Sequence, residues 1–176
     1  MDTLLTATDI RKDRHFQRDI ESEPLASMDG LLAWLYQDPE AEIDIFYALG
    51  KEQEYLEHVR VQEATKLIDK YGDSGCLELI DEEGRLAAIL PEPSSRGGMR
   101  VSYYTVSGPV SHEVQANPLD ATVLAIKRGY RKPAPGQLDA MTSLPSWHQG
   151  MKWIELLRKH NGNPFPFLKD NPNYFD

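Results

Sequence analysis

MRVSYYTVSGPVSHEVQANPLDATVLAIKRG, residues 99–129, contains the pattern that decides the fold. Val110, His112, Val114 and Ala116 alternate with Ser111, Glu113 and Gln115. That is the period of a half-buried strand, because successive side chains of an extended backbone project to opposite faces. Its partner is the run from Met99 to Ser107, joined through Gly108-Pro109. The adjacent Tyr103-Tyr104 and the step from Val101 to Val106 break strict alternation and predict a bulge. Asn117-Pro118 then opens a helix: an Asn side chain accepts from the first free N–H groups, and proline loses nothing at a position whose N–H has no helical partner. Leu119, Val123 and Ile126 give that helix an apolar face, and Gly129 ends it.

Upstream, Cys76–Asp81 and Arg85–Leu90, separated by Glu82-Glu83-Gly84, read as a β-hairpin. Pro91 to Gly98 is the strongest loop signal in the chain and reads as a mobile loop within one domain. Downstream, Pro133 to Gly136 is a loop and Gln137 to Met141 a single helical turn. Pro145–His160 is a helix with Trp147, Met151, Ile154 and Leu157 on one face and Gly162 past its end. From Asn163 the chain contains Pro164, Pro166 and Pro172 among Phe165, Phe167, Tyr174 and Phe175, which predicts an extended tail. Such a segment either straps across its own domain or docks on a partner.

Residues 1–23 are polar, with Ile10, Phe16 and Ile20 the only large apolar side chains after Leu5, and read as loosely ordered. A short helix follows from about Ser27, faced by Leu31, Leu32, Trp34 and Leu35. Asp38 then fits as the N-cap of a long helix with Pro39 at its first position, running to Tyr71 and stopped by Gly72. The whole reads as one α+β domain over residues 1–176. It has an N-terminal helical half, a mostly antiparallel sheet of about four strands, C-terminal helices and an extended aromatic, proline-rich tail.

Charge is divided along this plan. Residues 1–95 hold 22 acids against 9 bases, whereas residues 96–176 hold 6 against 10. From Asp19 to Glu57 there are eleven acids and one base, Lys51. A field of one sign attracts partners of the other. Asp38, Glu40, Glu42, Asp44, Glu52, Glu54 and Glu57 are therefore the expected contacts for another protein with a basic surface, as an inhibitor or immunity-type protein would make them. Lys127, Arg128, Arg131 and Lys132 form the opposite cluster and a candidate anion site. A helix C-terminus accounts for the first two, and the last two lie beyond it. Nucleic acid is disfavoured, since phosphate binding needs a concentrated basic face.

Catalytic signals are sparse. There is no phosphate-binding glycine loop, no dinucleotide fingerprint and no G-x-S-x-G. His58, His148 and His160 lack the spacing of helical metal pairs, so no metal and no cofactor is assigned. His112 and Glu113 sit on opposite faces of one strand and cannot act together; His112 reads as a half-buried structural histidine. Tyr103, His112 and Arg131 mark where a small enzyme's site would lie. An assembly role through the tail is the other alternative, and the oligomeric state is not readable. The lone Cys76, in an apolar segment, reads as a buried structural thiol in a reducing compartment. No segment approaches the ~20 apolar residues of a membrane span, and the chain reads as cytoplasmic.

Overall fold

The fold is α+β. The computed structural model describes residues 4–38, 40–72 and 75–175. The chain divides into two compact units, Met1–Lys66 and Leu67–Asp176. The dividing point lies inside the longest helix, not in the proline- and glycine-rich loop where the charge balance changes sign.

The first unit begins with β1 (Leu4–Leu5), α1 (Ala7–Lys12), α2 (Arg14–Glu21) and α3 (Met28–Leu35). The segment read as loosely ordered forms two capped helices. Thr6 and Asp9 make a reciprocal capping box on α1, and Asp13 Oδ1 accepts from the His15 N–H at 2.8 Å to start α2. Ile10, Phe16 and Ile20 are all buried in one cluster with Leu31, Leu35, Tyr36, Ala48, Tyr55, Leu56 and Val59. Burial of these side chains supplies what helical propensity alone does not.

The long helix, α4 (Ile45–Tyr71), starts later than Asp38. Ile43–Asp44 forms β2, antiparallel to β1 with Leu5 opposite Ile43, which keeps the backbone extended to that point. Asp44 Oδ1 then accepts from the N–H groups of Phe46 and Tyr47 at 2.8 and 3.2 Å, taking the capping role read for Asp38. Pro39 lies outside the described residues.

In the second unit a five-stranded antiparallel sheet has the order β6-β5-β4-β3-β7, one strand more than expected. Its members are β3 (Leu77–Ile80), β4 (Leu86–Pro91), β5 (Met99–Thr105), β6 (Gly108–Gln115) and the two-residue β7 (Lys132–Pro133). The predicted hairpin is β3–β4, with Asp81 Oδ1 accepting from the N–H of Glu83 and of Arg85 across the turn. The bulge is where alternation fails. Tyr103 pairs with Ser111 but Tyr104 with Pro109, leaving Val110 as the extra, exposed residue.

One sheet face carries Leu77, Leu79, Ala87, Ile89, Val101 and Tyr103 against Ala121 and Ala125 of α5 (Pro118–Lys127), which Asn117 caps as expected. On the other face, Trp147 stacks on Tyr104 with centroids 5.8 Å apart, and Glu78 Oε2 accepts from the Gln137 N–H at 2.7 Å. These contacts seat α7 (Pro145–Lys159) and α6 (Gln137–Thr142). Gly136 has no side chain to cap α6, so a sheet carboxylate does it. The proline-rich tail is not extended. It contains α8 (Phe165–Asp170), and Phe167 packs on His160 while Phe175 packs on Trp153.

Two glycines test this packing. A Cβ on Gly150 in α7 would run into the Ser107 carbonyl, whereas one on Gly50 in α4 would meet nothing within 4 Å. Gly150→Ala should destabilise the protein by ~1–3 kcal/mol through overpacking. Gly50→Ala should stabilise it by about 0.5–1 kcal/mol through helix propensity. Urea unfolding of both variants measures the contrast.

Candidate functional site

The eleven acids from Asp19 to Glu57 do not form one acidic surface. Asp29 pairs with Arg11 at 2.7 Å, Asp19 with Arg18 at 3.1 Å and Glu54 with Lys51 at 2.5 Å. Arg60 holds both Glu23, at 2.6 Å from its Nε, and Glu57, at 3.7 Å. Local bases of the same unit thus pair with five of the eleven acids. Glu52, read as a surface contact, is fully buried and can touch no partner. The charge count misses this, although the spacing Leu49, Glu52, Leu56, Val59 puts Glu52 on the apolar face of α4.

What remains is Glu21, exposed at the end of α2, and a short run before α4. Asp38, Glu40 and Glu42 are exposed, and among the described residues they form no ion pair. Asp44 is committed to the α4 N-terminus. Immediately after it, Phe46 is 77% and Tyr47 52% exposed, so two aromatic rings follow three unneutralised carboxylates along the chain.

A second constellation surrounds Glu52. His15 and Asp19 lie one turn apart on α2, and Glu52 faces them from α4. His15 Nε2 is 3.2 Å from Glu52 Oε2 and 3.7 Å from Asp19 Oδ2. Arg18 Nη2 lies 3.3 Å from His15 Nδ1. A guanidinium only donates, so Nδ1 is the acceptor and Nε2 carries the proton, donated to Glu52. Glu52 Oε1 is buried without any hydrogen-bond partner. Burial pushes the Glu52 carboxyl above the ordinary carboxylate range; His15 pulls it back and the Asp19 charge raises it further. A buried, unsatisfied carboxylate oxygen costs ~1–3 kcal/mol or more, so this residue is held at the expense of stability. The i,i+4 pair His15/Asp19 was visible in the sequence; its meeting with Glu52, 37 residues away, was not.

The four cations do not converge. Lys127 and Lys132 are exposed, Arg131 is half-buried beside the β7 edge, and Arg128 pairs with Glu113 at 2.6 Å. Arg128 lines a cavity of 340 Å³ with Arg85, Tyr103, Tyr104, Ser111 and Tyr130. Arg85 is held by Asp81 and Glu83, so each guanidinium in this cavity already has a carboxylate. Burial pushes the Tyr103 hydroxyl well up, with the Glu113 charge reinforcing it. Tyr103 and His112 point to opposite faces, since Tyr103 pairs with Ser111 and His112 with Ser102. Arg131 lies at the other edge of the sheet, its N–H bonded to the Ile80 carbonyl. The three residues marked for an enzyme are therefore not one site. His112 is exposed rather than half-buried, because β6 is an edge strand.

No protein-family model matches the chain, and no curated protein or solved structure matches it either. Among the described residues no helix is long and apolar enough to cross a membrane.

Two predictions follow from these placements. Burial, with the charges of Glu78 and Asp139, pushes the Cys76 thiol up to about 11. At pH 8 its alkylation by iodoacetamide should be on the order of 100-fold slower than that of a free cysteine of pKa ~8.5, and should rise about tenfold per pH unit to pH 10. His112→Ala should change unfolding free energy by no more than ~0.5 kcal/mol, as for an ordinary surface substitution. Thermal and urea melts measure this.

Proposed function

We propose that this protein binds another protein through the edge that begins at Asp38 and ends at Tyr47. The observation that supports this is the exposure of Phe46 and Tyr47 a few residues after Asp38, Glu40 and Glu42, none of which forms an ion pair among the described residues. Aromatic side chains that enter a partner's pocket supply much of the affinity of an interface. Unpaired charge at the rim steers encounter and sets which partners are tolerated. The partner that fits has an apolar pocket bordered by Lys or Arg. An inhibitory role, in which this edge covers a basic functional surface, is the form of binding the charge favours.

The alternatives have less behind them. Assembly through a free C-terminal arm loses support because Phe167 and Phe175 contact α7 residues. A catalytic site at the tyrosine-lined cavity would have to work with arginines already paired.

Binding is tested with the native host lysate, using wild type, Phe46→Ala and the triple reversal Asp38→Lys, Glu40→Lys, Glu42→Lys as bait. Asp44 is left intact because its cap supports α4. The expected result is a protein retained by wild type and lost from both variants. With that protein purified, the reversal should lower the on-rate more than tenfold at low salt, the difference closing as salt shortens the screening length to ~8 Å and below. Phe46→Ala should mainly raise the off-rate. Retention of every specific partner by both variants would remove this edge from the function.

A further inference from the structure

The structure assigns a divalent transition-metal site to His15 Nε2, Asp19 Oδ2 and Glu52. The three ligand atoms lie within 4.8 Å of one another, on two helices of the same unit. Two donors each ~2.0–2.1 Å from a tetrahedral ion sit about 3.4 Å apart. His15 Nε2 is 3.2 Å from Glu52 Oε2 and 3.7 Å from Asp19 Oδ2, so the two spacings made by the imidazole bracket that value.

The second observation is Glu52 itself. Its side chain is fully buried, and Oε1 has no partner. A hydrogen bond from His15 serves only the other oxygen. A buried carboxylate beside a second carboxylate calls for a counter-charge larger than a neutral imidazole provides. Among the described residues the cation on the cluster is Arg18, which touches His15 Nδ1 and Asp19 Oδ1 and is 74% exposed. One dication held by Glu52 and Asp19 would balance both carboxylates.

The donor set selects the ion. Calcium takes six to eight oxygens and magnesium keeps most of its water. One imidazole nitrogen with two carboxylates suits zinc, manganese or cobalt. Three protein donors leave at least one coordination position to water, on the partly exposed side formed by His15 and Asp19. Coordination requires the other tautomer: the single ring proton leaves Nε2 and, by exchange with solvent, is held on Nδ1. Arg18, a donor at that nitrogen, must swing out. The residue that stands in for the ion is therefore also its competitor.

The experiment uses the full chain, stripped with a chelator and returned to a non-coordinating buffer. Zinc and manganese are titrated in separate calorimetric runs, with equilibrium dialysis for stoichiometry. Cobalt is added to a third sample for its visible absorption. One ion per chain is expected, with a cobalt spectrum showing nitrogen and oxygen ligation. Asp19→Asn and His15→Ala should each weaken binding at least tenfold, with circular dichroism reporting whether they remain folded. Arg18→Ala, an exposed position, should strengthen binding severalfold. Absence of saturable binding of all three metals by wild type overturns the assignment and needs no variant to interpret. So does stoichiometric binding that persists undiminished in folded His15→Ala, or that weakens in Arg18→Ala.

Discussion

Strand β4 must be covered on both faces, and the arrangement of the second unit follows from that requirement. Leu86, Ala87, Ala88 and Ile89 are consecutive and all buried. A strand buried on one face alternates; one buried on both reads as a continuous apolar run. With β3 and β5 paired along its two edges, β4 can be shielded only from above and below. The chain supplies α5 for one face and α6 for the other, with α7 lying over β6 and Tyr104 of β5. The small side chains at Ala87 and Ala88, with Ala121 and Ala125 on α5, let the layers approach closely. The close approach at Gly150, where α7 meets the Ser107 carbonyl, extends the same demand to the β5–β6 turn.

Much of this was legible because it is local. The β3–β4 hairpin, the β5–β6 pair with its bulge, the Asn117 cap and the α7 stripe each rest on residues within a few positions of one another. The misreadings share another origin. Asp38 and Asp44 are equally good caps by type; the choice fell to Asp44 because Ile43–Asp44 pairs with Leu4–Leu5, a contact spanning some forty residues. The two-residue β7 has no periodicity to detect. The tail's three prolines suggested extension, yet Pro164 and Pro166 fall at the start of α8, where a missing N–H costs little. His112 looked half-buried from alternation alone, but alternation cannot distinguish a central strand from an edge.

The candidate sites were legible to a different degree. Counting charge along the chain found the acidic half but overstated its surface, since Arg11, Arg18, Lys51 and Arg60 each neutralise an acid of the same unit. Asp38, Glu40 and Glu42 escape because the segment from Asp38 to Glu42 contains no base and precedes the helix, where no i,i+3 or i,i+4 partner is available. Helical geometry provides partners for charge inside α4 and withholds them outside it. Apart from Glu21 on α2, the acids of this stretch without an ion pair among the described residues therefore lie at the α4 entrance, before Phe46 and Tyr47.

Glu52 is the case in which composition misleads most. Counted with the acids, it is one more surface charge. Placed by the turn of α4, it enters the core among Ala48, Tyr55 and Leu56, and no apolar neighbour can satisfy a carboxylate. Exchange for a residue of similar size such as Leu or Met would remove that penalty, since replacing a buried ionic group by a packed apolar one is often neutral or stabilising. Packing alone does not account for an acid here, facing a histidine and a second acid one helical turn apart. The dication proposed for this site would supply the missing counter-charge.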